Sequence, residues 1–149
     1  MSMWNIPAQL GAWDQVSNEI ENELQKSGCP PETVVSIIAA ADEIFANISS
    51  YAYQSKDGQV EIKTKNVSLD TIHSEYSLTF ADRGAKFNPL DAPTYEKGTL
   101  AQRKYKTGIQ GGFGIHIVKD KADKLSYKYT DGQNILCFMK FYKPIKNNI

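Results

Sequence analysis

Glu43 and Asn47 stand four residues apart in a helix-forming stretch, so a carboxylate and an amide share one helical face. Hard oxygens of these two kinds suit magnesium, which takes oxygen ligands and keeps several of its waters. Asp82 closes the alternating run Tyr76, Leu78, Phe80 and is followed by Arg83 and Gly84. A carboxylate at such a strand end can accept from an exocyclic amine, while the glycine turns the backbone and leaves room for a flat ligand. Phe87, in Phe87-Asn88-Pro89-Leu90, would cover that turn with a ring. Gly111-Gly112-Phe113-Gly114 opens a third helical run, where free N–H groups and the positive end of the helix dipole favour phosphate. Together these are the parts of a magnesium-nucleotide site. Taken singly, each has a plain structural reading as a solvated helix face, an Asp-x-Gly turn or close packing at a helix start. The P-loop spacing is absent, and Gly112-x-Gly114 lacks the preceding strand and later acid of a dinucleotide-binding unit.

The elements that must position these residues follow from apolar periodicity. Trp13, Val16, Ile20 and Leu24 recur at three and four, predicting an amphipathic helix from Leu10 to Lys26 that Gly28 ends. Pro30-Pro31 starts a second helix, whose stripe Val34, Ile38, Ala41, Phe45, Ile48 and Ala52 carries it to about Tyr53. At about 100° per residue, Glu43 and Asn47 lie roughly 180 to 220° around from Val34, on a face otherwise built from the small residues Ser36, Ala39, Ala40 and Ser50. Trp4 to Ala8 reads as a short edge strand. Val60, Ile62 and Thr64, then Tyr76, Leu78 and Phe80, alternate as half-buried strands do. Two further strands, around Leu125 to Tyr129 and Ile135 to Phe141, meet at the hairpin signal Asp131-Gly132, after a helix from Gly112 to about Ala122. The pattern predicts one α+β domain over residues 1–149: a two-layer sandwich in which helices cover one face of a mostly antiparallel sheet. Residues 89–111 lack any period and carry Arg103, Lys104 and Lys106, as a long functional loop does.

Composition narrows the class of partner. Basic and acidic residues number 17 each, so no net positive field exists to hold nucleic acid or an anionic membrane. No basic-then-apolar leader is present, and no segment approaches the 18 or so apolar residues of a membrane span; the expectation is a cytoplasmic protein. Cys29 and Cys137 fit neither a disulfide framework nor a zinc spacing, and His73 and His116 have no partner at ligand spacing.

The runs EIFANISSYAY (Glu43 to Tyr53), FADRGAKFNPL (Phe80 to Leu90) and GGFGIHIVKDKADKLSY (Gly111 to Tyr127), in this order, resemble the GHKL ATPase superfamily. The likeness covers nearly the whole chain and is strongest to the small single-domain branch, the bacterial anti-sigma-factor serine/threonine kinases of partner switching. That resemblance implies ATP and Mg2+ as ligands, with Asn47 holding magnesium and Glu43 as general base. It implies Asp82 as acceptor of the adenine amino group, with Gly84 giving the ring room. Gly112 and Gly114, with Phe113 between them, would bind phosphate, and a lid at about 89–111 would bring Arg103, Lys104 or Lys106 to the triphosphate. Two positions depart from the family pattern. Tyr51 stands where these kinases often carry histidine, and Asn134 lies near the place of a threonine that commonly supports the adenine pocket.

The resulting expectation is a protein kinase that phosphorylates a serine or threonine on a small antagonist protein and also binds a sigma factor or other transcription regulator, as a homodimer. The rival is an ATP-binding module that sequesters such a regulator with little or no turnover. A sensor histidine kinase fragment is disfavoured by the lack of an upstream phosphoacceptor-like histidine.

Overall fold

The computed structural model describes residues 1–53, 57–91 and 114–145. In chain order these form β1 (Ser2–Pro7), α1 (Leu10–Lys26), α2 (Pro31–Asn47), β2 (Gln59–Ser68), β3 (Ser74–Asp82), α3 (Gly114–Lys121), β4 (Lys124–Thr130) and β5 (Gln133–Tyr142). The five strands make one antiparallel sheet of order β1-β2-β3-β5-β4. The α+β architecture read from the sequence is the one observed.

Local chemistry explains where the elements stop. Ser27 and Gly28 close α1, the glycine at φ +78° and the serine hydroxyl donating to the Glu23 carbonyl at 2.9 Å. Pro31 opens α2, where its missing N–H is not needed. Asp131 at φ 53° and Gly132 at φ 74° form the tight turn between β4 and β5, as the Asp-Gly pair predicts. Inward positions alternate along the central strands: Val60, Ile62 and Thr64 on β2, Tyr76, Leu78 and Phe80 on β3, Asn134, Leu136 and Phe138 on β5. The apolar ones among these join the buried faces of the helices in a single core.

In α2 the structure departs from the expected stripe. The buried arc runs from Asn47 and Ala40 through Ile37 and Ile44 to Ala41, Val34 and Phe45, while Ile38 is only half-buried. Because α2 contacts α1 and α3 as well as contributing to the core, more than one stripe is enclosed. Asn47 therefore belongs to the buried surface, and Glu43 sits half-buried at its margin. The same helical run, Pro31–Ser50, is long and apolar enough to cross a membrane by composition alone, which the sequence reading did not anticipate. Half of that stretch is buried inside the fold, as befits a core helix.

Trp13 fixes α1 against α2. Its ring stacks on Phe45 with centroids 4.9 Å apart at 16°, and its Nε1–H donates to Asp42 Oδ1 at 2.6 Å. Desolvation raises the Asp42 carboxyl above its ordinary value, against the stabilising bond from Trp13.

Candidate functional site

Asp82 and Asn134 are directly opposed partners on β3 and β5, both buried at one end of the inner sheet face. Asn134 Nδ2 donates to Asp82 Oδ1 at 3.0 Å, and the Gly84 N–H donates to the same oxygen at 2.9 Å. All hydrogen bonds of Asp82 among the described residues thus go to Oδ1, so Oδ2 keeps its acceptor capacity. Burial raises the Asp82 carboxyl above its ordinary value; the Asn134 and Gly84 bonds pull it back only in part. A buried carboxylate with one oxygen committed and one open can receive an amine donor from a ligand.

A Cβ built at Gly84 would lie 2.0 Å from the Ala52 carbonyl oxygen and 2.5 Å from its carbon, so the missing side chain makes room for the chain's own backbone. That close approach lets the Ala85 N–H donate to the Ala52 carbonyl at 2.8 Å. Beside it, the Arg83 N–H donates to the Tyr53 hydroxyl at 2.9 Å, and that hydroxyl donates to the Gln59 carbonyl at 2.6 Å. The loop after β3 is therefore bolted to the end of the α2 segment. Gly84→Ala is expected to destabilise the fold by about 1–3 kcal/mol, the range for overpacking a tight contact. The measurement is the denaturant midpoint, and a change below about 0.5 kcal/mol, typical of a neutral surface substitution, would contradict the tight fit.

Asn47 ends α2, and the helix continues as a π-helical turn over Ile48–Ala52. Such turns are rare and cluster at functional sites, because the widened ladder re-aims side chains and carbonyls. The Asn47 side chain is wholly buried, and neither Oδ1 nor Nδ2 has a hydrogen-bond partner among the described residues. An orphaned buried amide costs about 1–3 kcal/mol, and a missing ion or water is a standard reason for its persistence. The only other such atom among the described residues is the Tyr76 hydroxyl, whose neighbours Thr64 and Glu23 bond to each other. Magnesium fits the Asn47 oxygen on this test, with Glu43 one turn away on the same face.

The remaining residues named from the sequence divide in two. Gly114 is the first residue of α3, whose Ile115 and Val118 are fully buried, and Phe87 is half-buried with its N–H donating to Asn134 Oδ1 at 2.9 Å. Gly112, Phe113, Arg103, Lys104 and Lys106 lie outside the described residues, as does the expected lid beyond the short 3-10 turn Pro89–Asp91. Sequence reasoning noticed Asn134 only as a departure from a pattern and did not single out Tyr127, whose hydroxyl donates to Asn134 Oδ1 at 2.5 Å. A polar residue at an inward strand position, Asn134 between the turn and Leu136, is the signal that could have marked it.

A family model described as the histidine kinase-like ATPase domain matches residues 6–140. Comparison with curated proteins gives no match. Among solved structures, a chain from the crystal structure of the SiaB-SiaC complex of Pseudomonas aeruginosa is similar in fold, with a TM-score of 0.50 at 16% identity. The similarity covers 95% of this chain and 89% of that one.

Proposed function

The chain belongs to the histidine kinase-like ATPase domain family, and from that membership we propose that it is a serine/threonine-protein kinase of the anti-sigma type. It would bind Mg-ATP and phosphorylate a small antagonist protein in a bacterial partner-switching system. The observation that carries this reading is the pairing of an open carboxylate oxygen on Asp82 with an unpartnered amide on Asn47, on two segments joined through Ala52 and Ala85.

In this reading Asp82 Oδ2 accepts from the adenine amino group, and Asn47 Oδ1 is the protein's ligand to magnesium. Bound Mg-ATP supplies the transferable phosphoryl group and a metal that neutralises charge on its oxygens. Glu43 orients the acceptor hydroxyl and takes its proton. Arg103, Lys104 or Lys106 would offset charge developing on the transferred group, and the N–H groups of Gly112, Phe113 and Gly114 would donate to phosphate oxygens. Adding a phosphate puts about −1.5 to −2 charges on the antagonist, which breaks its interface by repulsion and desolvation. The kinase, a homodimer in this scheme, is then free for a sigma factor or similar regulator. A chain of this fold occurs in a two-protein complex, in keeping with a protein partner.

Incubation of the protein with labelled Mg-ATP and the antagonist, identified by pulldown, is expected to put label on one serine or threonine and dissolve the complex. Glu43→Ala is expected to keep nucleotide binding and lose labelling by about 100-fold or more, the lower bound of the range for general acid–base catalysis. A nucleotide-responsive complex that never incorporates phosphate would point instead to a sequestering module without turnover.

A further inference from the structure

Asn134 spends every hydrogen-bonding group it has on the protein. Its Nδ2 donates to Asp82 Oδ1 at 3.0 Å and to the Ala85 carbonyl at 3.0 Å, with the Gly84 carbonyl at 3.4 Å sharing a hydrogen. Its Oδ1 accepts from the Phe87 N–H at 2.9 Å and from the Tyr127 hydroxyl at 2.5 Å. An amide side chain has two donors and two acceptor sites, and all are used. Asn134 therefore has nothing left for a ligand, although it lies beside the carboxylate that does. What it does is hold three strands and a loop in one arrangement: β5 carries it, β3 ends in Asp82, β4 carries Tyr127, and the segment Gly84 to Phe87 is pinned at three points.

We infer that Asn134, braced by Tyr127, is a positioning residue that sets base specificity by holding Asp82 Oδ1 so that Oδ2 alone faces the ligand. The inference rests on the nucleotide reading above and deepens it. A carboxylate free to rotate presents either oxygen at varying angles and discriminates poorly between an amine and a carbonyl. One locked by two donors to a single oxygen offers a fixed acceptor, which meets the 6-amino group of adenine favourably and the 6-carbonyl of hypoxanthine with two acceptors opposed. The bracing hydroxyl matters because it fills the second acceptor site of Asn134 Oδ1 and so fixes which end of the amide faces Asp82.

The test is calorimetric titration of the full chain with Mg-ATP and Mg-ITP, whose bases differ in the 6-substituent and the adjoining ring proton. The parent is expected to bind ATP about tenfold or more tightly than ITP, one hydrogen bond to a charged group being worth that much. Asn134→Leu, close in shape but without donors or acceptors, is expected to bring that ratio to within about twofold of unity by weakening ATP selectively. Loss of affinity for both nucleotides by the same factor, leaving the ratio intact, would overturn the inference, because a merely structural residue acts alike on both. If Asn134→Leu does not fold, Tyr127→Phe decides: a ratio about threefold smaller supports the bracing role, since networks of this kind share their strength among members, and an unchanged ratio overturns it. A parent that binds neither nucleotide, or both alike, overturns the nucleotide reading and this inference with it; a parent that discriminates while the variants keep its ratio overturns the inference alone.

Discussion

Asn47→Leu is expected to leave the ligand-free protein as stable as the parent or more stable, while lowering magnesium-dependent nucleotide affinity by about 100-fold or more. The two effects have opposite signs because Asn47 is a wholly buried amide whose oxygen and nitrogen both lack partners among the described residues. Replacing an unsatisfied buried polar group by an apolar one of similar shape removes a desolvation penalty of about 1–3 kcal/mol. A residue kept for the fold would not carry that penalty. Loss of even an outer-shell partner at a metal site typically costs about 10–100-fold, so loss of the direct amide ligand belongs at the upper end or beyond. Thermal unfolding without ligand and calorimetric titration of ATP with and without Mg2+ measure the two sides. A variant that is clearly less stable yet binds Mg-ATP as before would assign Asn47 to the fold and end the metal reading.

Asp82→Ala is expected to lower ATP affinity by roughly ten- to hundred-fold, the equivalent of about 1.5–3 kcal/mol for a hydrogen bond to a charged group. Its pH behaviour separates binding from stability. Burial holds the Asp82 carboxyl above its ordinary value of 3.8, so the folded protein retains this proton more tightly than the unfolded chain. The stabilising contribution of that proton is fully present below 3.8 and is lost as pH rises through the raised value. Nucleotide binding runs the other way, since the adenine amine needs an ionised acceptor and affinity falls as pH falls through the same value. The parent should show both trends; Asp82→Ala should lose the binding trend and show a weaker stability trend, the remainder coming from Asp42, whose carboxyl burial also raises, as read by unfolding midpoints and ATP titrations across acid pH. Equal ATP affinity in parent and variant at neutral pH would remove Asp82 from the base site.

Periodicity revealed most of the framework because it records burial directly. Trp13, Val16, Ile20 and Leu24 are all buried on α1, and Tyr76, Leu78 and Phe80 are all buried on β3. The Asp131-Gly132 turn was legible because only a few residue types tolerate its positive φ values of 53° and 74°. The buried arc of α2 was not, since a helix enclosed on several sides no longer has a single apolar stripe; Ile37 and Ile44 were missed and Ile38 overcounted. Asp82 could be read as a candidate site residue from its neighbours in sequence. Asn134 could not be placed against it, because their pairing depends on the register between β3 and β5, and the two residues are 52 apart in sequence. At Gly84 the spacing showed that a side chain was unwelcome, but only the fold shows that the Ala52 carbonyl lies where a Cβ would stand.

The Ala52 to Ala85 bond, 2.8 Å long, makes the loop that follows Asp82 and the helical segment that follows Asn47 parts of one mechanical body. If adenine docks on the first and magnesium on the second, a displacement of either segment on binding is carried to the other. Thermodynamic reciprocity then applies: whatever factor adenosine lends to the metal's affinity, the metal must return to adenosine's, with a single coupling free energy shared between them. Base and ion would then act on the protein as one linked input, with the sign and size of the link read from either side alone.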